Sequence, residues 1–221
     1  MPDEAGIEET RESRIAQTVA AGSIAEGVVG AAAATVAVVA LTGVWPRLLL
    51  SVATIGAGAS LMLQGGAIAG RFSALINEAS ASRITASEVG GGMTAEFIGG
   101  VAGIVLGILS LLNIYPLVLL PAAVIVLGGT LILGSSITAR MNMLLVERVE
   151  SRRFAREVAR QAIAAAAGVQ VLIGLGAVTL GVLLTGVSPV LLSLIAVLAV
   201  GISDVLSGTS IAGRLVSTFR R

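Results

Sequence analysis

The residue with the clearest potential for chemistry is Asp204, an acid inside a long apolar stretch. No other charged residue occurs between Arg160 and Arg214. Arg214 follows ten residues later, which puts Asp204 about 15 Å away along a helix, near the middle of a bilayer. Inserting an aspartate there costs about 3 kcal/mol. The acid therefore either takes part in ion passage or forms a polar contact between helices, and both interpretations stay open.

Four other polar residues are placed to accompany Asp204. Glu26 and Glu96 each lie 20 residues before the proline of a turn, and Gln170 stands beside the matching place in the last third of the chain. This position predicts carboxylates at the membrane interface, which pair with a neighbouring arginine or cap a helix. Gln64 and Gln170 are candidate hydrogen-bond partners of Asp204.

The residue types most used in enzymatic chemistry are missing from the sequence. The chain has no Cys and no His, which excludes disulfides and thiolate or imidazole metal ligands. It also lacks the usual nucleophile and the usual general base near neutral pH. The sequence contains no convincing phosphate-binding loop and no convincing acid–base pair. We therefore expect no enzymatic activity, no cofactor and no metal site.

The composition requires these residues to be carried by membrane helices. The chain is 56% hydrophobic and 12% charged, with a mean hydropathy of +1.00, whereas soluble domains carry about 25% charged residues. Residues 97–139 and 161–203 form two runs of 43 residues without a charge. One straight helix of that length would reach about 65 Å, twice the roughly 30 Å of a bilayer core. Each run must therefore fold back once, which predicts an all-α integral membrane protein.

A sequence phrase that occurs three times indicates internal repeats. The phrase reads GGAIAGR at 65–71, GSSITAR at 134–140 and GTSIAGR at 208–214, and each copy follows two apolar segments joined by a proline-containing turn. Proline fits there because it stops one helix and is tolerated at the start of the next. We expect six transmembrane helices as three tandem helical-hairpin repeats with pseudo-threefold symmetry. The expected spans are roughly 25–44, 48–70, 95–114, 117–139, 166–187 and 190–213.

The repeats divide the chain into four parts. The expected boundaries are a polar cytoplasmic tail at 1–13, hairpin repeat 1 at 14–76, hairpin repeat 2 at 77–145, and a charged cytoplasmic helix with hairpin repeat 3 at 146–221. The charged stretches ahead of the hairpins predict short cytoplasmic juxtamembrane helices. Mixed charges of this kind form a solvated helix face or a docking face for a cytoplasmic protein partner.

The distribution of arginine predicts the orientation. All 14 basic residues are arginine, and only Arg47 lies on the side of the hairpin turns. The positive-inside rule then places both termini in the cytoplasm. Trp45 and Tyr115 occupy equivalent outer turns, where such rings favour the membrane interface. Arginine without lysine indicates a GC-rich genome, so we expect the inner or cytoplasmic membrane of a bacterium or archaeon.

The repeated phrase itself predicts helix packing and anchoring. Its small residues lie four apart, a spacing that lets two helices approach closely in lipid. The predicted pairs are Gly65 with Ala69, Gly134 with Thr138, and Gly208 with Ala212. Each phrase closes on an arginine that anchors the cytoplasmic end of a span or lines the mouth of a pore. These arginines are Arg71, Arg140 and Arg214.

Two functional hypotheses follow from this inventory. The first is a non-enzymatic membrane anchor or scaffold subunit that assembles through small-residue helix faces and can dock a cytoplasmic partner. The alternative is a small channel or transporter with a pathway at the pseudo-threefold centre that involves Asp204. The expected partners are the lipid bilayer and further copies or subunits of a membrane complex. A net charge of +1 does not favour a nucleic-acid partner.

Overall fold

The structure is a computed structural model that describes residues 24–78, 86–149, 153–183 and 189–219. These residues form helices joined by turns, and no strand occurs among them, which confirms the expected helical class. We number the helices in chain order. They are α1 (Ile24–Leu41), α2 (Pro46–Glu78), α3 (Ala86–Leu111), α4 (Pro116–Val149), α5 (Arg153–Leu183) and α6 (Pro189–Phe219).

Short turns with left-handed backbone connect α1 to α2 and α3 to α4. Gly43 in the first turn has φ +90°, and Asn113 in the second has φ +62°, a region that glycine and asparagine tolerate better than other residues. A proline begins each of the three even-numbered helices. Its fixed φ suits the first helical position, where its missing N–H would have no partner within the helix. The turn before α6 lies outside the described ranges.

Five of the helices are long and apolar enough to cross a bilayer. These stretches are Ile24–Leu41, Pro46–Gly66, Pro116–Ser135, Ala164–Leu183 and Pro189–Gly208. The apolar part of α3, Ala95–Leu111, is shorter, although at 1.5 Å per residue it still extends about 26 Å. The structure is therefore consistent with a helical membrane protein. The expected cytoplasmic tail 1–13 lies outside the described residues.

The even-numbered helices form the inside of the bundle. Helices α2, α4 and α6 contact one another, while α3 packs against α2 and α4, and α5 packs against α4 and α6. Contacts of α1 with both α2 and α6 complete the bundle. The apolar stretches of α1 and α5 are 28% and 22% buried, against 56%, 44% and 44% for α2, α4 and α6. The odd-numbered helices therefore lie outside and cover the inner three.

Three pairs of glycines bring neighbouring helices into backbone contact. The pairs are Gly58 with Gly100 (α2–α3), Gly128 with Gly174 (α4–α5) and Gly201 with Gly30 (α6–α1). A Cβ built on Gly58 would lie 2.6 Å from the carbonyl oxygen of Gly100, and the second and third pairs give 2.7 and 3.0 Å. Only glycine permits such proximity, which provides dispersion contact between helices in lipid. The same contact thus recurs between α2 and α3, α4 and α5, and α6 and α1.

Candidate functional site

Helix α6 places Asp204 on the inside of the bundle, where its side chain has 0% exposure. A Cβ built on Gly30 of α1 would lie 2.7 Å from the Cβ of Asp204, so the absence of a side chain at Gly30 makes room for the acid. Neither carboxyl oxygen has a hydrogen bond of good geometry to the described residues. Burying a polar group without such a bond is costly. Packing alone therefore does not account for an acid at this place.

Ser60 of α2 is the hydroxyl that interacts with Asp204. The two side chains are near enough to influence each other, although without good hydrogen-bond geometry. Ser60 instead donates to the main-chain carbonyl of Glu26, at 3.0 Å. A serine hydroxyl has one proton and two lone pairs. While that proton is given to Glu26, Ser60 offers a lone pair to Asp204.

Two further acids, Glu26 of α1 and Glu96 of α3, are buried in the same part of the bundle. Their exposed fractions are 1% and 2%, and both carboxyl groups are near enough for their charges to act on Asp204. The side chain of Glu96 occupies the space that a Cβ on Gly134 of α4 would need. We call Glu26, Glu96 and Asp204 the acid cluster. Its members come from three separate helix pairs, so the chain brings them together only when the bundle is complete.

The acid cluster lies at one depth in the bundle. Glu26 and Glu96 each precede the turn end of their helix by 15 residues, and Asp204 follows the turn end of α6 by 15 residues. At 1.5 Å per residue all three lie about 22 Å from the turns. The sequence interpretation separated them, with Asp204 near the midplane and the glutamates at the interface. The difference arises because the turns, rather than the distant arginines, set the register of the helices.

Polar side chains that can form neutral hydrogen bonds accompany the acid cluster. Gln64 of α2 donates through Nε2 to Ser207 of α6 at 3.0 Å, so it binds the helix of Asp204 rather than the acid itself. Gln170 of α5 is 9% exposed. It lies four residues before Gly174, just as Glu26 and Glu96 lie four residues before Gly30 and Gly100. The buried hydroxyl of Ser203 has no hydrogen bond to the described residues. Amides and hydroxyls thus lie in the same part of the bundle as the acid cluster.

Asp204 occupies the position in α6 at which the other two inner helices have a leucine. Counted from the first residue of each helix, the positions equivalent to Asp204 are Leu61 in α2 and Leu131 in α4, which are 0% and 2% exposed. Counting from the closing arginines instead gives Thr130, one residue away from Leu131. The glycine contacts agree with the count from the turns, since each inner glycine lies three residues before Leu61, Leu131 or Asp204. The acid is therefore a local exception to an apolar layer.

Apolar layers fill the bundle between the acid cluster and the turns. The inner residues here are nearly all apolar and almost completely buried. They are Leu50, Ala53, Ala57, Leu120, Ala123, Val124, Leu127, Leu194, Ala196, Val197 and Val200. From Leu50 to Ala57 the layers extend about 10 Å along the axis. The hydroxyls of Thr54 and Ser193 interrupt them, and that of Thr54 donates to a carbonyl of its own helix. The acid cluster is thus separated from the turn side.

Several residues predicted for packing and anchoring have no described side chain. The side chains of Arg71, Arg140, Arg214, Ala69, Thr138 and Ala212 lie outside the described set, so the arginine anchor or ring stays a prediction. The remaining three small residues, Gly65, Gly134 and Gly208, are buried. Gly134 contacts a carboxyl group rather than a small-residue face.

The turns before α2 and α4 carry the two aromatic residues expected there. Trp45 is 72% exposed and Tyr115 is 78% exposed. Both have positive φ, +39° and +40°, which directs each ring away from the bundle at the residue just before a helix begins. Arg47 follows in the first turn of α2 and is also exposed. This arrangement suits rings and a cation at a membrane interface.

Sequence reasoning missed the spacing that assembles the cluster. In each odd-numbered helix, an acid or the corresponding amide stands four residues before the glycine that contacts an inner helix. The three pairs are Glu26–Gly30, Glu96–Gly100 and Gln170–Gly174. A side chain four residues from a close helix contact lies on the same face, one turn away. This motif, repeated three times, was visible in the sequence. Its meaning depended on the partner glycine, which belongs to a helix that is distant in the sequence.

The chemistry available to the acid cluster is the binding of a proton or a small cation. Across the described ranges, no three acids are arranged closely enough to hold a metal ion. Apart from Arg47 at the turns and the exposed Arg160, no basic side chain is described. No protein-family model, curated protein or solved structure matches the chain.

Proposed function

We propose that the chain is a non-enzymatic integral membrane protein that moves a small ion across the bilayer through the acid cluster. The observation that carries this proposal is the burial of Glu26, Glu96 and Asp204 at one depth inside an apolar bundle. An ionisable residue in the membrane is expensive and generally serves an ion pathway or a proton relay. Three acids from three helix pairs exceed what one polar helix contact needs.

We also propose that the three helix pairs are parallel repeats around a pseudo-threefold axis, with six spans. The support is the recurrence of the glycine contact at equivalent positions in α2, α4 and α6. Parallel repeats of this kind are common in transport proteins, where the site lies at the repeat interface. Under this proposal the third copy has specialised, because it alone carries an acid in the inner layer.

The proposed location is the cytoplasmic membrane of a bacterium or archaeon, with both termini in the cytoplasm. The arginine bias supports it, since Arg47 alone lies on the turn side. The acid cluster then lies in the cytoplasmic half of the membrane. The apolar layers separate it from the outer side, so transport requires the inner helices to part on that side.

Flux through liposomes tests the proposal. Purified wild-type protein is compared with Asp204→Asn, and protons and Na⁺ are monitored separately by fluorescent indicators inside the vesicles. The matched control is Thr35→Val, because Thr35 is an exposed residue of α1 whose hydroxyl bonds only a carbonyl of its own helix. We expect flux from wild type and Thr35→Val, and loss of flux from Asp204→Asn. Equal flux from wild type, from both variants and from empty liposomes would refute transport.

The packed apolar layers favour a second candidate, a membrane anchor or scaffold subunit. A centre filled by fully buried leucine, valine and alanine suits a rigid structural unit that associates with other chains in the membrane. The charged stretch that would dock a cytoplasmic partner lies mainly outside the described side chains. Affinity purification from detergent-solubilised membranes tests this candidate. A stoichiometric partner that stays bound to Asp204→Asn supports it, whereas a monomer with strong ion flux contradicts it.

A further inference from the structure

No described side chain donates a hydrogen bond of good geometry to Asp204. The proton of Ser60 is engaged by the carbonyl of Glu26, and the carboxyl groups of Glu26 and Glu96 act on Asp204 as like charges. The amide of Gln64 donates to Ser207. Among the described side chains, therefore, none supplies a proton to the fully buried oxygens of Asp204.

No basic side chain is described on the inner helices near Asp204. Arg71, Arg140 and Arg214 follow the layer of Asp204 by nine or ten residues, which is about 14–15 Å along the helices. At the opposite end, Arg47 is an exposed residue of the turn. The described inner faces of α2, α4 and α5 contribute Gln64, Thr130, Ser135 and Gln170 at this end of the bundle, and none of these is charged.

We propose that Asp204 binds a proton and that this proton, rather than a metal cation, is the ion that the acid cluster carries. A protonated Asp204 needs an acceptor, and Ser60 has a lone pair to offer. Proton binding removes the negative charge of Asp204 and needs no further ligand. A metal ion would need several oxygen ligands at short range, and no three acids of the described chain are so arranged.

The side from which the proton arrives follows from the apolar layers. These layers close the turn side, whereas Gln64 and Ser207 lie three residues beyond the layer of Asp204, away from the turns. The proton therefore reaches Asp204 from the side of the termini in this structure. This inference deepens the proposed transport function, and the role that it gives to the bound proton rests on that function. Proton binding itself can be measured without flux.

Carbodiimide labelling of reconstituted protein tests the inference. Dicyclohexylcarbodiimide, an apolar reagent, takes the proton of a carboxylic acid on one nitrogen while the carboxyl oxygen attacks its central carbon, and the product rearranges to a stable N-acylurea. Intact-mass and peptide analysis then locate the adduct. We expect one adduct on Asp204 at neutral pH, its loss in Asp204→Asn, and its retention in Glu26→Gln and in the presence of high Na⁺.

The other outcomes separate this inference from the proposed function. An adduct on Glu26 instead of Asp204, or protection by Na⁺ without added acid, would overturn the inference even if ion flux is observed. An adduct on Asp204 without flux in liposomes would support proton binding and contradict transport. Elution of Asp204→Asn as a single folded species in detergent excludes misfolding as the reason for lost labelling. Asp204→Glu, which keeps the acid, should restore the adduct.

Discussion

Substitution of the glycines that bring neighbouring helices into backbone contact tests the helix packing that assembles the acid cluster. A Cβ built on Gly128 would lie 2.7 Å from the carbonyl oxygen of Gly174, 2.9 Å from the Cβ of Ala177 and 3.0 Å from the backbone nitrogen of Val178. These atoms belong to the backbone or to the first carbon of a side chain, so α4 and α5 must separate to admit a methyl group. Overpacking of this kind costs about 1–3 kcal/mol.

The neighbouring Gly129 provides a matched control on the same helix. A Cβ on Gly129 would have no atom within 4 Å, so Gly129→Ala keeps only the helix-propensity gain of about 0.5–1 kcal/mol. Gly128→Ala has the same gain and the overpacking cost as well. The difference in unfolding free energy between the two variants should therefore be about 1–3 kcal/mol. Gly201→Ala, whose Cβ would lie 3.0 Å from the nearest atom, should lose less than Gly128→Ala.

The measurement is an SDS titration of each variant in mixed micelles. Circular dichroism and the fluorescence of Trp45, the one tryptophan of the chain, follow unfolding. We expect the transition of Gly128→Ala at lower SDS than wild type and that of Gly129→Ala at equal or higher SDS. If both alanines stabilise the protein equally, α4 and α5 do not meet at Gly128 and the packing described above is wrong.

Three further predictions concern the acid cluster and its surroundings. Asp204→Leu, which places at this layer the leucine found in α2 and α4, should raise the unfolding free energy by about 1–3 kcal/mol, since it removes a buried carboxyl group that lacks a hydrogen bond of good geometry, and should abolish ion flux. A large loss of stability would contradict this. Gly134→Ala should displace the carboxyl group of Glu96 and reduce flux. The control Gly66→Ala, with no atom within 4 Å of the new Cβ, should leave flux unchanged. Equal flux from the two variants would mean that Glu96 is not needed. Gln64→Leu removes one hydrogen bond to α6 and should cost only about 0.6 kcal/mol in the SDS titration; complete unfolding would show a larger role for this amide.

The helical membrane class could be predicted because charge-free length is a strong physical constraint. Runs of 43 residues without a charge at 97–139 and 161–203 leave few alternatives to helices that fold back in a bilayer. The turns were equally accessible from the sequence, since proline begins the even-numbered helices and an aromatic residue precedes two of these prolines. The exact number of spans and the repeat organisation stay proposals, because the apolar part of α3 is the shorter Ala95–Leu111.

The composition of the site was harder to predict from the sequence. Asp204 stood out by its charge, but Glu26 and Glu96 lie near the ends of apolar stretches and were interpreted as interfacial. The burial of Glu96 depends on Gly134 of another helix, which no local pattern reveals. The depth of Asp204 was also assigned from the distant Arg214 instead of the turn. The two counts differ because composition defines a span well and its end poorly.

The central claim is that α6 returns to α2 so that the acids of three helix pairs meet in one bundle. The chain has no native cysteine, so Gln64→Cys with Ser207→Cys can be joined in membranes by a short bifunctional thiol reagent. These residues are 143 positions apart in sequence and 3.0 Å apart at their polar atoms. The control replaces Ser207→Cys by Leu206→Cys, since Leu206 is 55% exposed on the outer face. We predict efficient intramolecular cross-linking of 64 with 207 and little of 64 with 206. Equal cross-linking of both pairs, or of neither, would contradict the account.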